Sequence, residues 1–302
     1  MSTTTGAVPV DDGDLEGLPA FDDPVDLADE TIAAFRRDGH VVVRGLAQPD
    51  ELPAYRDAVD AAVTRRQGKM PPLAERDAYS QAFVQLPNLW RRDPVIARFV
   101  LAARFAKAAA DLMGVEGVRI YHDQALAKEA GGVSTPWHQD QVYWPLATDD
   151  TITMWMPLVD VPMVAGPMTF ASGSHRLGAL DALVIGEDSE ATFSQLVAER
   201  GLAQTTHGPF VAGDATFHRG WTLHRAGANE TGDLRLVMTV IYYADGARIG
   251  SVDSPARELD HKYWLGSIPP GEPANDPANP VVWPPAEPQT QIDSPTRGSP
   301  TA

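Results

Sequence analysis

Gly213-Asp214-Ala215-Thr216-Phe217-His218-Arg219-Gly220-Trp221-Thr222-Leu223-His224-Arg225-Ala226-Gly227-Ala228-Asn229-Glu230-Thr231-Gly232-Asp233-Leu234-Arg235 decides how the chain folds. Ala226 to Asp233 is a turn-rich connector between two strands, so His224 and Arg235 are expected near one another across a hairpin, about 5 Å apart as direct partners. The same grammar extends outward. From residue 117 onward short strands are expected at Val118 to Lys128, Thr151 to Val159, Pro167 to Phe170, Phe210 to Leu223 and Leu234 to Tyr243, punctuated by Gly, Pro and Asx residues. Many short strands without alternating helices argue for an antiparallel sandwich or jelly roll and against a parallel α/β sheet. One helix-like insert, Glu190 to Glu199, lies outside the sheets.

The first third reads differently. Asp29 to Asp38 is a short helix: acids open it, Ile32 and Phe35 share a face, Arg36 and Arg37 close it and Gly39 stops it. Val41 to Val43 follows as a β-branched run. A helix is expected from Pro49 to about Gln67, and another from an Asp93 cap through Val95, Phe99 and Ala102 to Gly114. Near the end, ten of the 26 prolines lie between Pro269 and Pro300, and Val281, Val282 and Trp283 are apolar enough to dock on the body.

Composition excludes several chemistries. The chain of 302 residues has no cysteine, so thiol catalysis, Cys-ligated metals and disulfides are out, and metal chemistry must use His and carboxylates. A formal net charge of −17, with nine acids and no Lys or Arg in the first thirty residues, opposes a nucleic-acid partner. No basic-then-apolar leader and no apolar run of membrane-spanning length is present, so no membrane partner and a cytoplasmic location are expected.

The chemistry concentrates in two places. In Trp137-His138-Gln139-Asp140, the His and Asp are two apart and share a face if the backbone is extended, making two corners of a metal site. His224 supplies a third. His218 is a rival for that corner, but it stands farther from Arg235 and lacks the turn-and-arginine context. An inward Arg235 is costly unless it meets an anion, and a bidentate fork for a carboxylate beside a metal is its natural use. Two His and one carboxylate leave three open positions on one face of the metal, the arrangement of non-heme Fe(II) oxygenases. His122 and Gln124 share a strand face with Leu126 and Lys128. If that face is inward, Gln124 is a candidate contact for co-substrate or substrate; if outward, the two are solvated. Tyr143 and Trp144 either floor a pocket or pack the core. His175 reads as a loop-fixing residue.

Taken together, His138-Gln139-Asp140, Trp155, Gly173-Ser174-His175, Gly213-Asp214, and His224 followed by Arg235 make the chain resemble the phytanoyl-CoA dioxygenase family of Fe(II)- and 2-oxoglutarate-dependent oxygenases, over about Phe35 to Trp283. The resemblance implies a double-stranded β-helix (jelly roll, cupin-like) with an N-terminal helical segment packed on one sheet. It implies that His138, Asp140 and His224 are the catalytic iron ligands, that Arg235 and Lys128 contact 2-oxoglutarate, and that Trp155 lines the same pocket, with O2 as the other co-substrate. Ala226 departs from relatives that carry a co-substrate-binding serine there. An aspartate at 140 argues against halogenation, because halogenating relatives carry a small residue at this position, and so favours hydroxylation or another oxidative outcome.

The domain reading that follows is an acidic disordered arm over 1–28, a single oxygenase domain over 29–287 and a flexible tail over 288–302. Within the domain, 29–116 is mainly helical, 117–265 is the jelly-roll core and 266–287 is a docking segment. The expected partner is a small-molecule substrate, and the acidic balance favours a neutral or cationic metabolite over a CoA thioester. Two other readings of the residues stand beside this one: a metal-dependent cupin-like enzyme without 2-oxoglutarate, and a non-catalytic binding member of the fold. Arg235 speaks against the first and the intact ligand set against the second.

Overall fold

A computed structural model describes residues 15–180 and 183–285. In chain order the helices and strands are α1 (Asp29–Asp38), β1 (His40–Val43), α2 (Pro53–Gln67), α3 (Ala78–Ala82), β2 (Val84–Pro87), α4 (Pro94–Val100), α5 (Ala103–Met113), β3 (Val118–Lys128), β4 (Thr135–His138), β5 (Thr151–Pro157), β6 (Met168–Ala171), α6 (Glu187–Glu199), β7 (Gln204–Thr206), β8 (Ala215–Arg219), β9 (His224–Ala226), β10 (Arg235–Ala244), α7 (Pro255–Trp264) and β11 (Val281–Trp283). The strands form two antiparallel sheets. The larger runs β1-β8-β5-β10-β3-β11, with β2 also on β3; the smaller runs β4-β9-β6-β7. This is the expected jelly roll with helices.

Alternation along the large sheet separates two cores. Leu236, Met238, Val240 and Tyr242 of β10, with Met154 and Met156 of β5 and Ala125 and Ala127 of β3, share one buried cluster with Phe35, Tyr55, Val59, Phe99, Phe105 and Leu112 of the helices. The intervening Val237 and Trp155 pack instead with Met168, Phe170 and Ala226 of the small sheet. Residues of odd number on β10, Arg235 among them, therefore face the interior between the sheets.

Several expectations need correction. The strand expected over Phe210 to Leu223 is only Ala215–Arg219. The helix expected from Pro49 begins at Pro53; Pro49–Glu51 is a separate 3-10 turn closed by reciprocal Gln48 and Glu51 contacts. A second proline, lacking an N–H, fits a fresh first turn and not a helix interior. The helix expected through Ala102 is two helices, because Ala102 is extended and the Arg104 N–H donates to the Phe21 carbonyl at 2.9 Å. That contact satisfies a first-turn donor of α5 that has no intrahelical partner. It also corrects the acidic arm over 1–28: within the described part, Phe21 is buried against Tyr55, Phe99 and Phe105, and Asp23 pairs with Arg104 at 2.5 Å. Residues 1–14 and the tail over 288–302 lie outside the described residues.

The hairpin between His224 and Arg235 is not formed. Their strands belong to different sheets: His224 is the register partner of His138, and Arg235 that of Lys128. The connector crosses between the sheets, and Asn229 fixes it by donating to the carbonyls of Lys128, Glu129 and Asp233 at 3.0, 3.2 and 2.8 Å.

Candidate active site

His138 ends β4, and its neighbour in register is His224 of β9, with the two rings 4.0 Å apart between centroids. The strand does not continue to Asp140, as an extended backbone would have required; Asp140 opens a 3-10 turn, Asp140–Val142. The turn still brings its carboxylate to the pair. Oδ1 lies 3.6 Å from His138 Nε2 and 3.7 Å from His224 Nε2, and one ligand atom from each of the three residues falls within 4.8 Å of the others. Gln139, between them, is buried and points elsewhere. Its amide donates to the carbonyls of Gly178 and Trp221 and accepts from Leu180 N–H, pinning two loops at the back of the site.

Both histidines are held in one tautomer. His138 Nδ1 donates to the Pro136 carbonyl at 2.8 Å and His224 Nδ1 to that of Thr222 at 3.0 Å. Carbonyls only accept, so each Nδ1 carries the proton and each Nε2 presents its lone pair toward the carboxylate. Burial, reinforced by a neighbouring imidazole, pushes His138 down to about 3 and His224 to about 4. Burial works to raise the Asp140 carboxyl, but His224, His218 and His138 around it hold it well below the ordinary range. Two neutral imidazoles and one carboxylate, bare of protons on the facing atoms, are the donor set a divalent iron takes.

His218 is not a corner of this set. It projects from β8 into the interior and meets the other carboxylate oxygen, Oδ2, at 3.2 Å, while Thr153 of β5 donates to the same atom at 3.0 Å. His218 and Thr153 are themselves register partners on the large sheet. The sequence shows His218 as a rival ligand; its bond to the carboxylate depends on a pairing between β5 and β8 that no local pattern announces.

The triad opens into a cavity of about 320 Å³, lined also by Trp155, Gln124, His122, Tyr143, Trp144 and Arg235. The face of β3 carrying His122 and Gln124 is therefore inward. Gln124 accepts from Gln85, whose own oxygen accepts from Tyr79 at 2.6 Å, so this amide is already engaged on one side. Arg235 is buried, donates to the Gly166 carbonyl, stands 5.6 Å from the Trp155 ring, and has a buried Nε with no partner. Burial lowers it to about 10, so it stays charged at neutral pH. Lys128 donates to the Val133 carbonyl and is not among the residues lining the cavity; burial and Arg235 lower it to about 7. Among the described residues neither cation has a carboxylate partner. Two adjacent buried cations left without an anion form a pre-built anion site.

Two elements absent from the sequence reading complete the walls. Helix α7 brings Asp260 and Trp264, and the segment from α3 to β2 brings Tyr79, Phe83 and Gln85. The α7 start was legible: Ser254 caps it by accepting from Arg257 N–H, followed by Pro255 at the first position. Of the remaining motif residues, Asp214 accepts from Arg44 at 2.7 Å and from Gly45 N–H at 2.9 Å, tying the end of β1 to the start of β8. Ser174 accepts from Leu223 N–H at 2.9 Å, just before His224.

Residues 35–237 match the phytanoyl-CoA dioxygenase (PhyH) family. The chain belongs to that family. It is 26% identical over 221 residues to "Dioxygenase hkm4" of Aspergillus hancockii, covering 68% of this chain and 67% of that one. Among solved structures it resembles the non-heme alpha-ketoglutarate-dependent carbocyclase SnoK from nogalamycin biosynthesis, with a TM-score of 0.67, 24% identity, and 86% and 99% of the two chains covered. It also resembles the epimerase SnoN in complex with Fe3+, alpha-ketoglutarate and nogalamycin RO, with a TM-score of 0.63, 26% identity, and 84% and 97% covered. The chain is an Fe(II)- and 2-oxoglutarate-dependent non-heme dioxygenase. No helix among the described residues is long and apolar enough to cross a membrane.

Proposed function

We propose that this family member hydroxylates an aliphatic carbon of a small-molecule metabolite, with His138, Asp140 and His224 holding Fe(II) and Arg235 binding the far carboxylate of 2-oxoglutarate. The observation that carries the reading is a three-donor cluster and, opening into the same cavity, a buried guanidinium that has no carboxylate partner among the described residues and whose Nε is unbonded. Iron held there would supply, with 2-oxoglutarate and O2, the oxidising chemistry whose by-products are succinate and CO2. The protein supplies position and dryness.

His138 and His224 keep their Nε2 lone pairs aimed inward through the Pro136 and Thr222 carbonyls. His218 and Thr153 hold Asp140 Oδ2, which leaves Oδ1 for the metal. Arg235 offers a charge-assisted pair to the co-substrate, and an anion held there would favour the charged form of Lys128 behind it. Trp155 walls this end against water, and Gln124, on the inward face of β3, is the candidate contact for co-substrate or substrate. The helical segment and the jelly roll act as one oxygenase domain, which takes in the segment around Phe21 ahead of residue 29, a reading supported by their shared core.

Incubating the purified protein with Fe(II), O2 and 2-oxoglutarate tests the reading directly. Succinate is expected to form, slowly without substrate and faster with the right metabolite, and to disappear in Asp140→Ala. Absence of succinate in the iron-loaded wild type, or equal production by Asp140→Ala, overturns it.

A further inference from the structure

We infer that Asp260 is a substrate-recognition residue, and that the substrate presents a protonated amine to it at the end of the cavity farthest from Arg235. The inference rests on the dioxygenase reading and adds the class of substrate to it.

Register places the two ends. Arg235 pairs with Lys128, whereas Ile241, six residues along β10, pairs with His122. At a rise of about 3.3 Å per residue those positions are roughly 20 Å apart. His122 lies against Trp264, with ring centroids 5.0 Å apart, and Trp264 is one helical turn after Asp260 on α7. The pairing of β10 with β3 shifts between Ile241 and Tyr242, which leaves Tyr121 as the extra residue of a bulge. A bulge re-aims a side chain. Here Tyr121 packs with Trp144 and Ile241, and its hydroxyl donates to Asp260 Oδ2 at 2.8 Å.

What surrounds this carboxylate is one-sided. Among the described residues, Arg225 and Arg235 are the only Lys or Arg side chains lining the cavity. Arg225 is engaged with Glu190 at 3.2 Å and lies 4.7 Å from the Trp137 ring. Arg257, three residues before Asp260, pairs with Asp253 at 3.3 Å and donates to Ser251 and to the Val142 carbonyl. Among the described residues no ion pair reaches Asp260. Burial pushes its carboxyl up to about 7, with hydrogen bonds from Tyr121 and Trp264 working the other way. A cation arriving there restores the charged form that burial disfavours.

The walls suit the same ligand. Trp264, Trp144 and Tyr143 line the cavity and pack in one cluster with Tyr121, the residue that donates to Asp260. Aromatic faces attract a desolvated ammonium and bury the ring or chain that carries it. A second carboxylate or a phosphate on the substrate would instead meet Asp260 without compensation. The anion site at Arg235 and the acidic group at Asp260 thus sort two ligands of opposite charge to opposite ends of one cavity.

The test uses protein loaded with Fe(II) and 2-oxoglutarate under nitrogen, titrated calorimetrically with matched pairs: benzylamine against benzyl alcohol, and tryptamine against tryptophol. In the wild type each amine is expected to bind at least about tenfold tighter than its alcohol, and in Asp260→Asn the preference is expected to vanish. Equal binding within the pairs, a preference that survives Asp260→Asn, or no amine binding at about 10 mM each overturns the inference. The wild-type pairs decide the matter even if the variant fails to fold. Iron and 2-oxoglutarate uptake is measured first: its failure would count against the dioxygenase residues, whereas intact uptake with no amine preference counts against Asp260 alone.

Discussion

His218 Nε2 stands 3.2 Å from Asp140 Oδ2 while the opposite oxygen of that carboxylate faces His138 and His224. The imidazole therefore orients the acid without joining the ligand set. His224→Ala is expected to abolish turnover and Fe(II) uptake, whereas His218→Ala should retain the metal and weaken it by about 10- to 100-fold, the usual cost of losing an outer partner. Anaerobic Fe(II) titration separates the two. Equal losses would make His218 a ligand, and an unchanged affinity in His218→Ala would leave it no orienting role.

Arg235→Gln should raise the 2-oxoglutarate KM far more than the KM of any accepted substrate. Losing a charge-assisted pair in a dry pocket costs about 2–4 kcal/mol, roughly 30- to 1,000-fold. Gly166 adds an indirect check. Its carbonyl accepts from Arg235, its φ is +70°, and a Cβ there would sit 2.2 Å from the Gly227 carbonyl oxygen. Gly166→Ala is expected to weaken 2-oxoglutarate binding in the same direction while leaving Fe(II) affinity in place.

Phe21→Ala should destabilise the protein by about 3–5 kcal/mol, because a fully buried aromatic is removed from the helical core. Chemical denaturation measures this. A change below about 1 kcal/mol would return residues 15–28 to the status of a dispensable arm.

Asp260 gives a pH dependence with a definite sign. Its folded-state carboxyl titrates near about 7, above the ordinary carboxylate value, so between those two points the folded protein keeps a proton that the unfolded chain has released. Its contribution is fully present at acid pH and is lost as pH rises through about 7. The Tm of Asp260→Asn relative to wild type should therefore increase from about pH 5 to about pH 7 and then level off, since all other groups are common to both proteins. A difference that is flat or falls over that interval would show the carboxyl to be ordinary.

Much of this site was legible in the sequence because its chemistry is carried by residue types at short spacing. His138 and Asp140 are two apart, and strand β3 ends at Lys128, where the punctuation of the sequence predicts. The errors share one cause. Which strand neighbours which is settled by the packing of two sheets, and the loop after His224 is equally compatible with a hairpin and with a crossing between sheets. Likewise the acids around Phe21 suggest solvation by composition, yet the buried Phe21 ring, its carbonyl bond from Arg104 N–H, the Tyr55 hydroxyl on the Pro19 carbonyl and the Asp23–Arg104 pair dock the segment. Helix α7 leaves little apolar pattern in the sequence because its apolar residues are few and none is fully buried; its contribution is to a cavity and not to a core.

The ligands come from distant parts of the chain, and this has a temporal consequence. His138 and Asp140 lie on one short segment, but His224 arrives about eighty residues later, after β5, β6 and β8 have to be laid down between them. On its own the His138–Asp140 segment offers iron only a two-toothed grip. With these three as the ligands, tight capture is expected only once β9 has paired beside β4, which would make metal loading a late step and iron content a sign that the small sheet has assembled.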